Sequence, residues 1–126
     1  MTDRITVLIA DDTLIAREGL STILESFGEI KVIGMASTPQ EVIDVAARLI
    51  PDVVILDLKW FGNDLAGLYL IKELRKVSPK ACILAVSAYE KLLKDAVNEG
   101  VDAAMTKMFT AEEFVDKIRS LANLEK

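Results

Sequence analysis

The sequence predicts an α/β fold: an open, doubly wound parallel sheet of five strands with helices on both faces. Three observations carry that prediction. Runs of apolar and β-branched residues recur at Ile5 to Ala10, Lys31 to Met35, Val53 to Leu56 and Ala81 to Val86, with a weaker fifth at Val101 to Met105. They do not alternate with polar residues, which suits strands buried on both faces of a parallel sheet rather than a half-solvated antiparallel one. Between them apolar residues recur at three- and four-residue spacing, the mark of amphipathic helices. The two kinds of segment alternate strictly, so each crossover is right-handed and helical, and the flavodoxin-like strand order 2-1-3-4-5 with five helices follows.

Taken in order, the first run ends in Asp11-Asp12, and Ala16, Leu20, Ile23, Leu24 and Phe27 then line one face of a helix. After the second run, Thr38-Pro39-Gln40-Glu41 matches a capping box, in which a hydroxyl and a carboxylate satisfy the orphan amides of a helix start. Val42, Val45, Ala46 and Leu49 form its apolar face. The third run ends at Asp57, followed by the helical pattern Leu70, Ile71, Leu74, Val77; the fourth ends at Ser87, and Lys107 comes just after the fifth. A second capping box, Thr110-Ala111-Glu112-Glu113, starts a last helix whose Phe114, Ile118, Leu121 and Ala122 are expected to close the fold against the sheet edge.

Composition sets the limits on function. At 126 residues, 52% hydrophobic and 28% charged, with no repeat or linker, residues 1–126 are expected to form a single domain. The absence of histidine excludes Ser-His-Asp and Cys-His catalysis, HExxH zinc sites and any role as a phosphohistidine donor. The one cysteine, Cys82, supports neither an intramolecular disulfide nor a Cys-rich metal site. A net charge of −5 has the wrong sign for holding nucleic acid by its phosphates, so no direct nucleic-acid binding is expected. The run Val7-Leu8-Ile9-Ala10 is too short for a signal-peptide core or a membrane span, and a cytoplasmic location without membrane contact is expected.

The chemistry lies where polar residues leave the sheet, because ligands of such folds bind beyond the carboxyl ends of the strands. Asp11, Asp12, Asp57, Ser87 and Lys107 should therefore converge on one edge. Three carboxylates at close quarters repel unless a hard cation sits among them, and oxygen donors without His or Cys point to Mg²⁺. Magnesium implies phosphate, for which Ser87 offers a hydrogen bond and Lys107 a positive charge, while Asp57 is a candidate nucleophile able to form an acyl phosphate. Each residue alone has a plainer reading: Asp11 or Asp12 as the cap of the next helix, Ser87 as a turn residue, Lys107 as a solvated surface lysine. The combination at the ends of four strands is the informative feature.

The whole chain resembles a response-regulator receiver domain of two-component signalling, of the NarL/FixJ-like group. Val-Leu-Ile-Ala-Asp-Asp at 7–12, Arg17-Glu18-Gly19-Leu20, Pro51-Asp52-Val53-Val54-Ile55-Leu56-Asp57-Leu58 and Gly100-Val101-Asp102 carry the resemblance. It implies Asp57 as phosphoacceptor, Asp12 as a direct Mg²⁺ ligand, Asp11 as a ligand partly through water, and the backbone carbonyl of Lys59 as a further ligand. Ser87 would bond the incoming phosphoryl group and Lys107 would pair with it. The donor would be the phosphohistidine of a sensor histidine kinase. The readout would be an output domain or partner protein, with transcription regulation through a DNA-binding domain outside this chain, and a homodimer is a possible assembly.

Departures from the family's pattern are as informative. Trp60-Phe61 stand where the family usually has Met-Pro, and Gly67 is ten residues after Asp57 rather than eight, so the loop is longer by two. Trp60 and Phe61 either dock a partner and shape access, or pack down on the adjacent helix. Ala104 replaces the Tyr or Phe that commonly rotates inward when the Ser hydroxyl turns to phosphate, and Tyr89 is the only aromatic near enough to compensate. Met108 follows Lys107 where many receivers have Pro, so a cis bond is not expected there. Two other classes compete with the switch. One is a phosphorylation-independent interaction module, against which the intact Asp/Asp/Asp/Ser/Lys set argues. The other is a phosphate-ester hydrolase, which would need Asp-x-Asp where this chain has Asp57-Leu58-Lys59.

Overall fold

The structure is a computed structural model that describes residues 4–124. The strands are β1 (Ile5–Ala10), β2 (Ile30–Ala36), β3 (Val53–Asp57), β4 (Cys82–Ser87) and β5 (Ala103–Thr106). Alternating with them are α1 (Leu14–Glu25), α2 (Pro39–Leu49), α3 (Ala66–Val77), α4 (Glu90–Asn98) and α5 (Ala111–Leu124). All strand pairs are parallel and the order is β2-β1-β3-β4-β5, as the sequence predicts. The first run matches its strand residue for residue, whereas β5 begins two residues later than the apolar run. Val101 follows the turn at Gly100 and Asp102 still belongs to the connection, its side chain taking the Ile83 amide at 2.7 Å.

Successive residues of a strand face opposite sides, which splits the core in two. Leu8, Val54, Leu56, Ile83 and Ala85 pack under α2, α3 and α4, against Val42, Val45, Leu70, Ile71, Leu74, Leu92 and Ala96. Val7, Ile9, Val53, Ile55, Leu84 and Val86 pack on the other side against Leu24 of α1 and Phe114, Val115, Ile118 and Leu121 of α5. The strands β1, β3 and β4 are therefore almost wholly buried, while the edge strands β2 and β5 are only partly so. One expectation needs correction. Helix α5 lies over β3 and β4 on the face it shares with α1, not against the sheet edge, because Phe114, Ile118 and Leu121 bury against the inner strands.

Of the two capping boxes, the second closes reciprocally and the first closes on one side only. Thr110 Oγ1 accepts the Glu113 N–H at 3.1 Å, and Glu113 accepts the Thr110 N–H at 2.9 Å, which holds the Glu113 carboxyl below its usual range. Thr38 likewise accepts the Glu41 N–H at 3.2 Å, but Glu41 reaches one residue further back, to the Ser37 N–H at 2.6 Å.

Candidate functional site

The crossovers that order the sheet bring the carboxyl ends of β1, β3, β4 and β5 side by side. Asp57 is the last residue of β3, paired in register with Val86 of β4, and Ser87 is the last of β4, paired with Thr106 of β5. Lys107 follows β5, its N–H bonded to the Ser87 carbonyl at 3.0 Å. Asp11 and Asp12 follow β1. All five residues singled out from the sequence thus meet on one edge.

Among the described residues Asp11, Asp12 and Asp57 form a cluster in which a carboxylate oxygen of each lies within 4.8 Å of the others. Asp11 and Asp57 are buried and Asp12 is half-buried. Lys107 does not behave as a solvated surface lysine. Its Nζ lies 3.2 Å from Asp57 Oδ1 and 3.4 Å from Asp11 Oδ2, a single cation shared by two buried acids. Burial pulls its ammonium down, but Asp57 and Asp11 more than offset this and hold it above the usual lysine value. Asp57 is pushed up to about 6, first by burial and then by the charge on Asp11, with Lys107 pulling the other way and Asp12 adding to the rise.

Remaining bonds define what each group is free to do. Asp11 Oδ1 accepts the Thr13 N–H at 2.9 Å and the Thr13 hydroxyl at 3.1 Å, and Arg17 donates to the Asp11 carbonyl at 2.9 Å. The helix-cap reading of Asp11 is therefore only half met, since it serves the entry to α1 while Thr13 occupies the cap position. Asp12 does something unforeseen: its Oδ2 accepts the Phe61 N–H at 2.8 Å, across 49 residues of chain. Ser87 Oγ accepts the Tyr89 N–H at 3.0 Å, so the turn reading holds, and its own O–H proton remains available to a ligand.

The longer loop after β3 separates the two bulky residues that the sequence left together. Trp60 is 1% exposed in the core under α3, with its indole N–H donating to the Asp57 carbonyl at 2.7 Å, whereas Phe61 is 68% exposed. Gly67 allows α3 to start against this loop. A Cβ there would lie 2.4 Å from the Leu58 backbone, whose carbonyl accepts the Gly67 N–H at 3.1 Å. Tyr89 faces outward, half-exposed, with Lys59 Nζ 4.5 Å from its ring centre and Asp64 3.5 Å from the same ammonium. It fills nothing beside Ala104. Open grooves of about 530 and 390 Å³ flank that alanine, toward α5 and α4. The described residues contain no cis peptide, in keeping with Met108 after Lys107.

Comparison with known proteins decides the family. The family model described as "Response regulator receiver domain" matches residues 7–119. The chain belongs to this family. The receiver is 28% identical over 123 residues to the response regulator protein VraR of Staphylococcus aureus, covering 96% of this chain and 58% of that protein. It thus spans little more than half the length of the curated relatives it matches. Among solved structures it is similar to the response regulator domain of Thermotoga maritima CheB, at TM-score 0.83 and 28% identity over 95% of this chain and 97% of that one. The signal receiver domain of Mycobacterium tuberculosis NarL shares the fold at TM-score 0.87 and 24% identity, covering 97% and 98%. These likenesses agree with the NarL/FixJ-like resemblance and with a flavodoxin-like receiver of two-component signalling. Among the described residues no helix is long and apolar enough to cross a membrane.

Sequence reasoning gave no role to Arg17 and did not foresee the Phe61 amide or the Trp60 indole. Arg17 stood in a quoted motif, and the extra loop length was the only signal for the other two. The Lys59 side chain is engaged with Asp64 and Tyr89, away from the carboxylates.

Proposed function

We infer that this receiver is a phosphoryl-accepting switch in which Asp57 takes the phosphoryl group of a histidine kinase. The observation that supports it most is the Lys107 ammonium held within 3.4 Å of both Asp57 and Asp11 beside a third carboxylate. An Asp57 oxygen forms a bond to phosphorus as the phosphorus–nitrogen bond of the donor breaks, and the imidazole leaves with its electron pair and takes up a proton. Lys107 meets the negative charge of the phosphoryl oxygens, and Ser87 donates its free O–H to one of them.

The donor set fits a hard divalent cation: three carboxylates, no sulfur and no imidazole within reach. Asp12 and Asp57 would hold Mg²⁺ directly, Asp11 partly through water, and the Lys59 carbonyl would add a ligand. When bound, the ion supplies positive charge that offsets the carboxylates and the transferred group. On this reading residues 1–126 form one receiver domain that acts in the cytoplasm on a partner or an output domain, with transcription control as the proposed outcome. Phosphorylation would shift an inactive–active equilibrium read at the surface of α4, β5 and α5.

The test is incubation with a small phosphodonor and Mg²⁺, followed by intact mass measurement. A gain of one phosphoryl group that Asp57→Asn abolishes is expected. A folded, Mg²⁺-binding protein that gains no mass overturns the reading, and partner binding indifferent to phosphodonor and to Asp57→Asn favours the phosphorylation-independent module.

A further inference from the structure

The loop between β3 and α3 departs most from the pattern the chain resembles, and it grips the carboxylate site at two points, braced by a turn of its own. The Trp60 indole N–H holds the Asp57 carbonyl at 2.7 Å. The Trp60 backbone N–H donates to the Asn63 carbonyl at 3.2 Å, and the Asn63 N–H returns to the Trp60 carbonyl at 2.7 Å. A trans peptide is planar, so fixing the Trp60 N–H also fixes the Lys59 carbonyl, which points the opposite way. One residue on, left-handed backbone at Phe61 (φ 49°) and Gly62 (φ 78°) turns the chain, and the Phe61 N–H holds Asp12 Oδ2 at 2.8 Å. Asp12 has one oxygen committed to the loop and one left for a ligand.

We propose that Trp60 is a positioning residue for divalent-cation binding: its indole anchors the Trp60–Asn63 turn, and the turn orients the Asp12 carboxylate and the Lys59 carbonyl. The proposal rests on the reading that Asp11, Asp12 and Asp57 hold a divalent cation. A phenylalanine at position 60 would occupy much of the same volume but has no donor, so the buried Asp57 carbonyl would lose this partner and the turn its anchor.

Mg²⁺ titration calorimetry on the wild type, Trp60→Phe, Gly62→Ala and Leu65→Ala tests it, with thermal denaturation of the same samples. Trp60→Phe is expected to weaken Mg²⁺ binding ~10-fold or more, the scale seen when groups that orient metal ligands are lost. Gly62→Ala should weaken it by a smaller factor, because nothing lies within 4 Å of the added Cβ and only the left-handed turn is strained. Leu65→Ala, an exposed side chain of the same loop, should leave it unchanged. A Trp60→Phe protein that melts earlier yet binds Mg²⁺ as tightly as the wild type overturns the positioning role alone, as does an equal loss in Leu65→Ala. If Trp60→Phe does not fold, Gly62→Ala decides by the same criterion. Failure of the wild type to bind Mg²⁺ overturns both this inference and the cation reading beneath it.

Discussion

Where the strands begin, the acids are matched one for one by main-chain donors and a guanidinium. Asp52 accepts the Thr6 N–H at 2.9 Å while Thr6 Oγ1 accepts the Asp52 N–H at 2.9 Å, tying β1 to β3. Asp102 accepts the Ile83 N–H at 2.7 Å and pairs with Arg75 at 2.9 Å, and Arg75 also holds the carbonyls of Ala81 and Gly100. Where the strands end, three clustered carboxylates face one ammonium, and Asp57 rises to about 6. The same residue type stabilises one end and strains the other. The difference is clustering: Asp52 and Asp102 stand apart, each with its own donors, whereas the other end gathers three carboxylates around one ammonium, and Asp57 has Lys107 alone as a partner among the described residues, an excess of negative charge that a cation would relieve.

The largest expected effect tests the geometry that the strained end depends on. Gly67→Ala forces a Cβ to 2.4 Å from the Leu58 backbone, which cannot yield as a side-chain tip would, so urea unfolding should show a loss of about 3 kcal/mol. Asp102→Ala should cost about 2 kcal/mol by leaving the Ile83 amide unpaired and removing the carboxylate from Arg75, which keeps only its two carbonyls, with Mg²⁺ titration unaffected. An Asp102→Ala protein as stable as the wild type would break the comparison.

Asp57→Asn should do the opposite and gain about 1–2 kcal/mol at pH 7 without divalent ions. Between pH 3.8 and about 6 the folded chain keeps a proton on Asp57 that the unfolded chain has released, so stability falls as pH rises through that window. Full ionisation costs at most about 3 kcal/mol, and the variant returns part of this because Lys107 loses one of its two acids. Denaturant midpoints from pH 4 to 7 should fall in the wild type and flatten in Asp57→Asn; a variant that is less stable at pH 7 would show that the strain is absent. The smallest effect is a control at the exposed start of α5, where Thr110 bonds Glu113 and none of the clustered carboxylates: Thr110→Ala should cost about 1 kcal/mol of stability through the lost cap and leave phosphorylation intact.

Much of this was legible in the sequence. Asp11, Asp12, Asp57, Ser87 and Lys107 could be placed on one edge because each directly follows or ends an apolar run, and parallel order turns position along a strand into position in space. The fourth helix was less plain, announced neither by a capping box nor by a long apolar pattern, and Leu92 and Ala96, its two buried residues, suffice to dock it on the sheet. The fate of Trp60 and Phe61 was beyond local reading. Adjacent bulky residues look alike in a pattern, and only the left-handed backbone at Phe61 and the Asp57 carbonyl waiting for a donor send one inward and the other out.

By itself, then, the sequence determined the strands, the two threonine-capped helix starts, the strand order and the set of residues at the carboxyl edge, since these follow from local propensity, hydrophobic period and the handedness of crossovers. Only the tertiary structure decided that Lys107 is shared by Asp11 and Asp57, that α5 covers the inner strands, and that Asp12 is held by an amide 49 residues away. Those are distances between segments remote in sequence, set by how the packed layers bring their ends together, and no local pattern encodes them.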